Sequence, residues 1–234
     1  MEMYFSVMIM KNKNAIIIQA RLTSKRFPEK VLKKIGKKTI VEIIYQRLLK
    51  TKNIDHIIFA IPNNYKNIKL KNFLIKKNIP FFCGSENNVL ERYYLLAKKL
   101  NAKIIVRVTA DCPMIDKITL EKMLKHFIKH KKIDYLGNTI IAKKKFPDGT
   151  DVEIFNFVKL KLAYQKAKSK YDKEHVTPYI IRNSKCLAYN AKNDFKNKRW
   201  TIDYLKDLKY VRKIFRYFDY DYFVSMNRIL SKGF

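Results

Sequence analysis

The sequence predicts an α/β fold, a three-layer α/β/α sandwich around a mostly parallel central sheet, and two kinds of run predict it. Short all-apolar, β-branched stretches, of which Ala15-Ile16-Ile17-Ile18 is the purest, read as strands buried on both faces of a sheet. Between such stretches the apolar residues return at helical spacing, as Ile40, Ile43, Ile44, Leu48 and Leu49 do on one face. Alternation of the two patterns gives βαβ units, whose right-handed crossovers lay helices over both sides of a parallel sheet.

Taken in order, the chain reads as a strand over 15–18, a polar loop, a helix over 39–49 and a strand over 56–61 ending at Pro62. A helix over 68–77, a short strand over 80–83 and a helix over 89–100 follow, and a strand over 103–108 runs into Thr109-Ala110-Asp111-Cys112-Pro113. Beyond it the pattern predicts a helix over 118–131 and strands over 133–136 and 152–155. Helices over 157–168 and 174–182, a strand over 186–189 and a helix over 208–217 complete it.

With 234 residues, 47% of them hydrophobic, the chain can bury one large core, and its 5 Gly and 6 Pro mark no linker. A single domain over 14–217 is expected. Residues 1–13, where Met8 and Met10 precede a Lys/Asn run, read as a tail or a mis-called start. Residues 218–234, with Tyr220, Tyr222, Phe223 and Met226, read as a helical extension of the same domain, either a docking helix or an oligomer contact that would make a homodimer.

The net charge of +31 raises the question of a polyanionic partner. The lysines are spread through Lys33-Lys34, Lys37-Lys38, Lys76-Lys77, Lys98-Lys99, Lys131-Lys132 and Lys143-Lys144-Lys145, in a chain also rich in Asn and Ile. That spread fits solvated surface lysine, or an anionic partner as small as a nucleotide. Cys83, Cys112 and Cys186 lack the paired spacing of disulfide or zinc frameworks, which points to a reducing compartment. No apolar run approaches the roughly 20 residues of a membrane span. Glu2 stands where a signal peptide would be basic, so the expected location is the cytoplasm.

In doubly wound sheets ligands sit beyond the carboxyl ends of the strands, here the segments after Ile18, Ile61 and Val108. The first of them, residues 19–30, places Arg21, Lys25, Arg26 and Lys30 in one loop with a single acid, Glu29. Such cations suit a triphosphate, whose charge shifts to pyrophosphate as it is cleaved, though a solvated basic loop has the same composition. Neither the Gly-x-x-x-x-Gly-Lys phosphate loop nor the Gly-x-Gly-x-x-Gly fingerprint is present, which argues against ordinary ATPases and dinucleotide oxidoreductases.

The pattern Ala-Arg-x-x-Ser-x-Arg-x-Pro-x-Lys within Gln19 to Leu32 resembles the N-terminal signature of cytidylyltransferases that make CMP-activated sugar acids. The resemblance is greatest to their relatives called spore coat polysaccharide biosynthesis protein SpsF. Further segments carry it: Gly84-Ser85-Glu86 with Val89-Leu90-x-Arg92-Tyr93-Tyr94, Arg107 to Pro113, Phe146 to Glu153, Glu174 to Tyr179, and Arg199-Trp200-Thr201-Ile202-Asp203. The likeness runs in unbroken order over 15–215.

That resemblance implies a sheet of the nucleotide-diphospho-sugar transferase type. It implies transfer of CMP from CTP to a sugar acid or a sugar or polyol phosphate, with release of pyrophosphate, for surface polysaccharide or glycan synthesis. Arg21 and Lys30 would hold the β- and γ-phosphates beside Ala20, with Ser24 and Arg26 supporting the loop, and with Asp111 they form the catalytic set. Asp111 and Asp203 would hold Mg²⁺, the alternatives being a turn residue before Pro113 and a helix N-cap. Gly84, Ser85 and Arg92 would line the nucleotide, unless Arg92 only pairs with Glu86 or Glu91. Asp148, Asp151, Glu153 and His175 would contact the acceptor, against an ordinary acidic turn and a structural histidine. Trp200 reads as core packing. Two other functions remain open: a glycosyltransferase, whose Asp-x-Asp would have to be Asp219-Tyr220-Asp221, and a basic nucleic-acid-binding module.

Overall fold

The computed structural model describes residues 13–139, 141–143 and 145–234. The expected tail or start over 1–13, except Lys13, lies outside the described residues, as does Lys144.

The first half of the chain forms β1 (Lys13–Gln19), β2 (Lys34–Ile35), β3 (Lys38–Thr39), α1 (Ile40–Leu48), β4 (His56–Pro62), α2 (Ile68–Lys76), β5 (Phe81–Gly84), α3 (Val89–Lys99) and β6 (Ala102–Thr109). The second half forms α4 (Lys117–Lys129), β7 (Tyr135–Gly137), β8 (Glu153–Asn156), α5 (Phe157–Lys166), α6 (Lys170–His175), α7 (Pro178–Arg182), β9 (Cys186–Ala188), α8 (Leu205–Tyr217) and α9 (Met226–Leu230). Seven strands make one sheet in the order β5-β4-β1-β6-β8-β7-β9. β8 alone runs against its neighbours β6 and β7. β2 and β3 form a separate small hairpin.

The three layers follow from the two-residue period of β1. Ile16 and Ile18 point into a core shared with Ile40 and Ile44 of α1, Leu70 and Leu74 of α2, Leu120 of α4 and Val211 of α8. Ala15 and Ile17 point into the opposite core, with Leu90 and Tyr93 of α3 and Leu160 of α5. Each fully buried Ile or Leu contributes about 1.5–3 kcal/mol. Helix starts are capped by the residues the sequence supplies: Thr39 with Glu42 forms a capping box on α1, and Asn88, Asp116 and Asn156 cap α3, α4 and α5.

Two expectations differ from the structure. The helix expected over 174–182 is broken into α6 and α7. Pro178, at the start of α7, has no N–H with which to continue the hydrogen bonds of α6. The chain turns instead at Val176, whose φ of 70° and ψ of −55° with Thr177 N donating to His175 O (2.8 Å) make a γ-turn, a costly shape for a β-branched residue. The β2–β3 hairpin went unseen in the polar loop because two-residue strands carry no periodicity.

The segment after α8 turns back onto the chain itself. Phe218, Tyr222, Val224, Met226 and Ile229 are buried in the same core as α1 and α8, whereas Phe223 is exposed. The buried guanidinium of Arg47, on α1, ties the segment down by donating to the carbonyl oxygens of Ile115 (2.7 Å), Tyr222 (2.7 Å) and Val224 (3.0 Å). Tyr222 Oη donates to Ile35 O of the hairpin at 2.8 Å.

Arg47→Met should keep the apolar stem and strand three buried carbonyl groups, at a cost of about 3 kcal/mol. Thermal unfolding followed by circular dichroism is expected to show a Tm lower by roughly 6–12 °C with an unchanged native spectrum. A loss below about 1 kcal/mol would mean that the C-terminal segment holds without the arginine.

Candidate active site

Three segments meet beyond the carboxyl edge of the sheet, and the antiparallel course of β8 is what lets the third arrive there. β1 ends at Gln19 and opens the cationic loop, and β6 ends at Thr109 just before Asp111. Because Glu153 pairs with Arg107 and Gly137, the approach to β8, residues 148–152, lies over the same edge. Residues 199–203 join through a parallel bridge between Asp148 and Arg199, with Trp200 N donating to Asp148 O at 2.6 Å and Ile202 N to Asp111 O at 2.9 Å. Gly149 permits this approach: its φ is +102°, and a Cβ there would stand 2.5 Å from Thr201 N.

The cationic loop is shaped by its own backbone and by its neighbours. Leu22 N donates to Asn67 Oδ1 (2.8 Å), Glu29 N to Leu22 O (3.0 Å) and Phe27 N to Ser24 Oγ (3.4 Å). Thr23 Oγ1 donates to Glu86 Oε1 at 2.9 Å. Ala20 is buried, its N–H donating to Ala60 O at 3.2 Å. Glu29 takes a left-handed backbone (φ 55°) and delivers Lys30 inward, leaving that residue only 7% exposed.

Lys30 Nζ lies at the centre of the site. It donates to Asp111 Oδ2 (2.8 Å), Asp203 Oδ1 (3.0 Å) and Ile202 O (2.7 Å), the three bonds an ammonium can make. Asp203 Oδ1 also meets Arg26 Nη2 at 2.6 Å, and its Oδ2 accepts from Arg199 Nη2 at 2.7 Å. Burial pushes the Asp203 carboxyl up, but the bond and charge of Lys30, with Arg199 and Arg26, outweigh it and hold the group below the ordinary aspartate value. Its side chain is spent on cations, while Tyr204 takes the N-cap position of α8. Arg199 also pairs with Asp148, whose Oδ1 accepts from Thr201 Oγ1 at 2.5 Å.

The other expected site residues fall in distinct places. Arg21 is half exposed, and its nearest carboxylate is Glu174, 3.7 Å away. Arg92 is buried, hydrogen-bonded not to an acid but to Ser85 O (2.7 Å), and Gly84 makes room for it, since a Cβ there would meet Arg92 Cγ at 3.0 Å. Burial lowers the Arg92 guanidinium to about 10. Glu153, 3% exposed, is committed to its neighbours: it pairs with Arg107 and accepts from Tyr135 Oη (2.6 Å) and Thr177 Oγ1 (2.7 Å). Arg107 Nε in turn donates to Gln19 Oε1 at 3.2 Å. His175 is exposed at the end of α6, its ring 4.5 Å from that of Tyr171. Asp219-Tyr220-Asp221 lies on the turn between α8 and α9, away from the strand ends. Trp200 is fully buried in the core.

Asp151 differs from its acidic neighbours in having no hydrogen-bond donor among the described residues. Burial, then the charges of Asp148, Glu153 and Asp111, push its carboxyl up to about 7, against a smaller pull from Arg107. Arg199 and Thr201 stand in the segment 199–203 that carries the resemblance, but no site role is expected of them from the sequence. The four-residue step from Arg199 to Asp203, an ion-pair spacing, was the available signal.

Asp111 Oδ2 and Asp203 Oδ1 converge on one point, and a cation, the Lys30 ammonium, stands there. That donor set suits a hard divalent ion, and Mg²⁺ fits it on these grounds. Among the described residues no three His, Cys, Asp or Glu side chains gather to hold a metal by themselves, so phosphate oxygens would have to complete the shell.

The family model described as Cytidylyltransferase matches residues 15–233. The chain is 35% identical to an uncharacterized protein of Methanocaldococcus jannaschii over 87% of its own length and 83% of that protein's. It is 28% identical to the spore coat polysaccharide biosynthesis protein SpsF of Bacillus subtilis, over 86% and 85% of the two chains. A solved cytidylyltransferase from Leptospira borgpetersenii superposes with a TM-score of 0.89 at 30% identity, covering 94% of this chain and 93% of that one.

The Asp151 carboxyl gives this edge a pH dependence. Its folded value near 7 lies above the unfolded value of about 3.9, so the folded state keeps a proton that the unfolded chain has lost, and stability falls as pH rises between the two. Asp151→Asn removes that effect. The stability of the variant relative to wild type, from denaturant unfolding, should rise by at least about 1 kcal/mol between pH 5 and pH 8. A difference independent of pH would show that Asp151 ionises normally.

Proposed function

The chain belongs to the Cytidylyltransferase family, and from that membership we propose that it transfers CMP from CTP to a sugar-type acceptor bearing a carboxylate or a phosphate, releasing pyrophosphate. The observation that carries the reading is the loop after β1, which brings Arg21, Arg26 and Lys30 to the strand end beside Asp111. Four negative charges on a triphosphate need such fixed cations, and those that strengthen their hold as charge moves to the leaving group lower the barrier.

In this reading an acceptor oxygen bonds to the α-phosphorus in line as the bond to the bridging oxygen of the β-phosphate breaks. Arg21 and Arg26, both about half exposed, meet the β- and γ-phosphates, and Lys30 follows the charge onto pyrophosphate. Asp111 and Asp203 would hold Mg²⁺, which when bound neutralises phosphate charge. Gly84, Ser85 and Arg92 flank the nucleotide. Asp148 and Asp151, on the approach to β8, take the acceptor hydroxyls, while Glu153 holds the wall behind them. The polysaccharide role in the name of the Bacillus relative fits an activated sugar as product. Among the described residues no helix is long and apolar enough to cross a membrane, and we place the reaction in the cytoplasm.

Thermal unfolding with CTP, UTP, ATP or GTP, each with and without Mg²⁺, tests the nucleotide. CTP at about 100 times its Kd should add roughly 2.7 kcal/mol, with the other three adding less. Pyrophosphate release across a panel of sugar acids and sugar phosphates then identifies the acceptor. In that assay Arg21→Ala and Asp111→Asn should remain folded and lose turnover by about 10²–10³. Absence of stabilisation by any triphosphate, beside a shift with DNA or RNA, would overturn the reading.

A further inference from the structure

The two roles given to this site are in conflict in the free protein, and the conflict says something about order. Lys30 is assigned to phosphate and the pair Asp111 and Asp203 to metal, yet Lys30 Nζ is bound to both carboxylates, at 2.8 and 3.0 Å, and to Ile202 O at 2.7 Å. Its three donors are used, and its side chain is 9% exposed. A divalent ion bridging those carboxylates would stand where the ammonium stands, and two cations cannot share that point in a site of low dielectric. The rest of Asp203 is closed as well, since Arg26 shares Oδ1 and Arg199 holds Oδ2.

We infer that Lys30 is an internal counter-ion that closes the carboxylate pair until a triphosphate draws it off, so that divalent metal is admitted with the nucleotide and not to the free protein. The means of exchange are present. A lysine head moves on a flexible four-carbon stem, and the head of Arg26, which shares Asp203 with Lys30 and is 55% exposed, leaves room for an arriving phosphate. Phosphate oxygens would replace the carboxylates as acceptors for Nζ and supply the remaining ligands that the described residues lack. The inference rests on the assignment of metal to Asp111 and Asp203 under the proposed function.

Titration of Mn²⁺ against the nucleotide-free protein, read from the electron paramagnetic resonance of unbound Mn²⁺, tests it without any assay of activity. Wild type should show no saturable site. Lys30→Met, which keeps most of the apolar stem and removes the charge, should bind one Mn²⁺ at least about tenfold more tightly, within the usual range of coupling between sites. That binding should vanish in Lys30→Met combined with Asp111→Asn. One saturable site in free wild type, lost in Asp111→Asn, overturns the inference, and this arm holds even if Lys30→Met does not fold. A folded Lys30→Met protein that binds Mn²⁺ no better than wild type also overturns it. Unfolding with CTP, run both with Mg²⁺ and with a chelator, separates the two readings: no shift under either condition defeats the nucleotide assignment while leaving the Mn²⁺ result to stand on its own.

Discussion

The ammonium of Lys30 is the contact on which the charged edge of the sheet depends. It joins the loop after β1 to Asp111, 81 positions along the chain, and to Asp203, 173 positions along. A buried ammonium is costly unless its donors are all taken, and here two carboxylates and a carbonyl oxygen take them. Arg26 and Arg199, themselves about half exposed, gather on the buried Asp203, and the chain of pairs runs out to Asp148 at the rim.

A scaffold that can hold such a network must bring four segments to one edge of a sheet. Parallel strands β1 and β6 do so by ending there, but the segments before β8 and before α8 arrive by other means. β8 runs backwards, so that its beginning and not its end lies over the site, and Gly149 lets residues 200 and 201 pass within contact distance of the turn. The pair formed by Arg107 and Glu153 lies beneath. It links Gln19 to Thr177, and through Thr177 to the strained turn at Val176, so the start of β8 and the start of the cationic loop share one buried ion pair. Acidic residues that look alike in sequence thereby separate into kinds: Glu153 is fully engaged, Asp148 is paired at the rim, and Asp151 is left without a donor and holds its proton to higher pH.

Most of the fold was legible because its cause is local. All-apolar β-branched runs mark β1, β4 and β6, and period-3.6 patterns mark α1, α3 and α8, within a few residues, and the capping residues stand where helices begin. The parts that escaped have no such period. The β2–β3 hairpin is two residues a side, and the break at Val176 depends on Pro178 overruling a helical pattern. The site was legible as a set of residues, through strand-end placement and family likeness. Its pairings were not: Arg199 stood in the sequence beside the more conspicuous Trp200, and Glu153 stood among acids expected to face a ligand.

Order and composition thus come from the linear chain: which segments are strands, and which strand ends carry the arginines, the lysine and the aspartates. Which cation faces which carboxylate came only with folding. Local sequence governs backbone shape over a few residues, but an ion pair between positions 30 and 203 depends on strand order, on one antiparallel strand and on one glycine-permitted approach. Burial then chooses among the pairings that remain, because a charge removed from water must end against its opposite or be neutralised by a proton, as Lys30 and Asp151 respectively do.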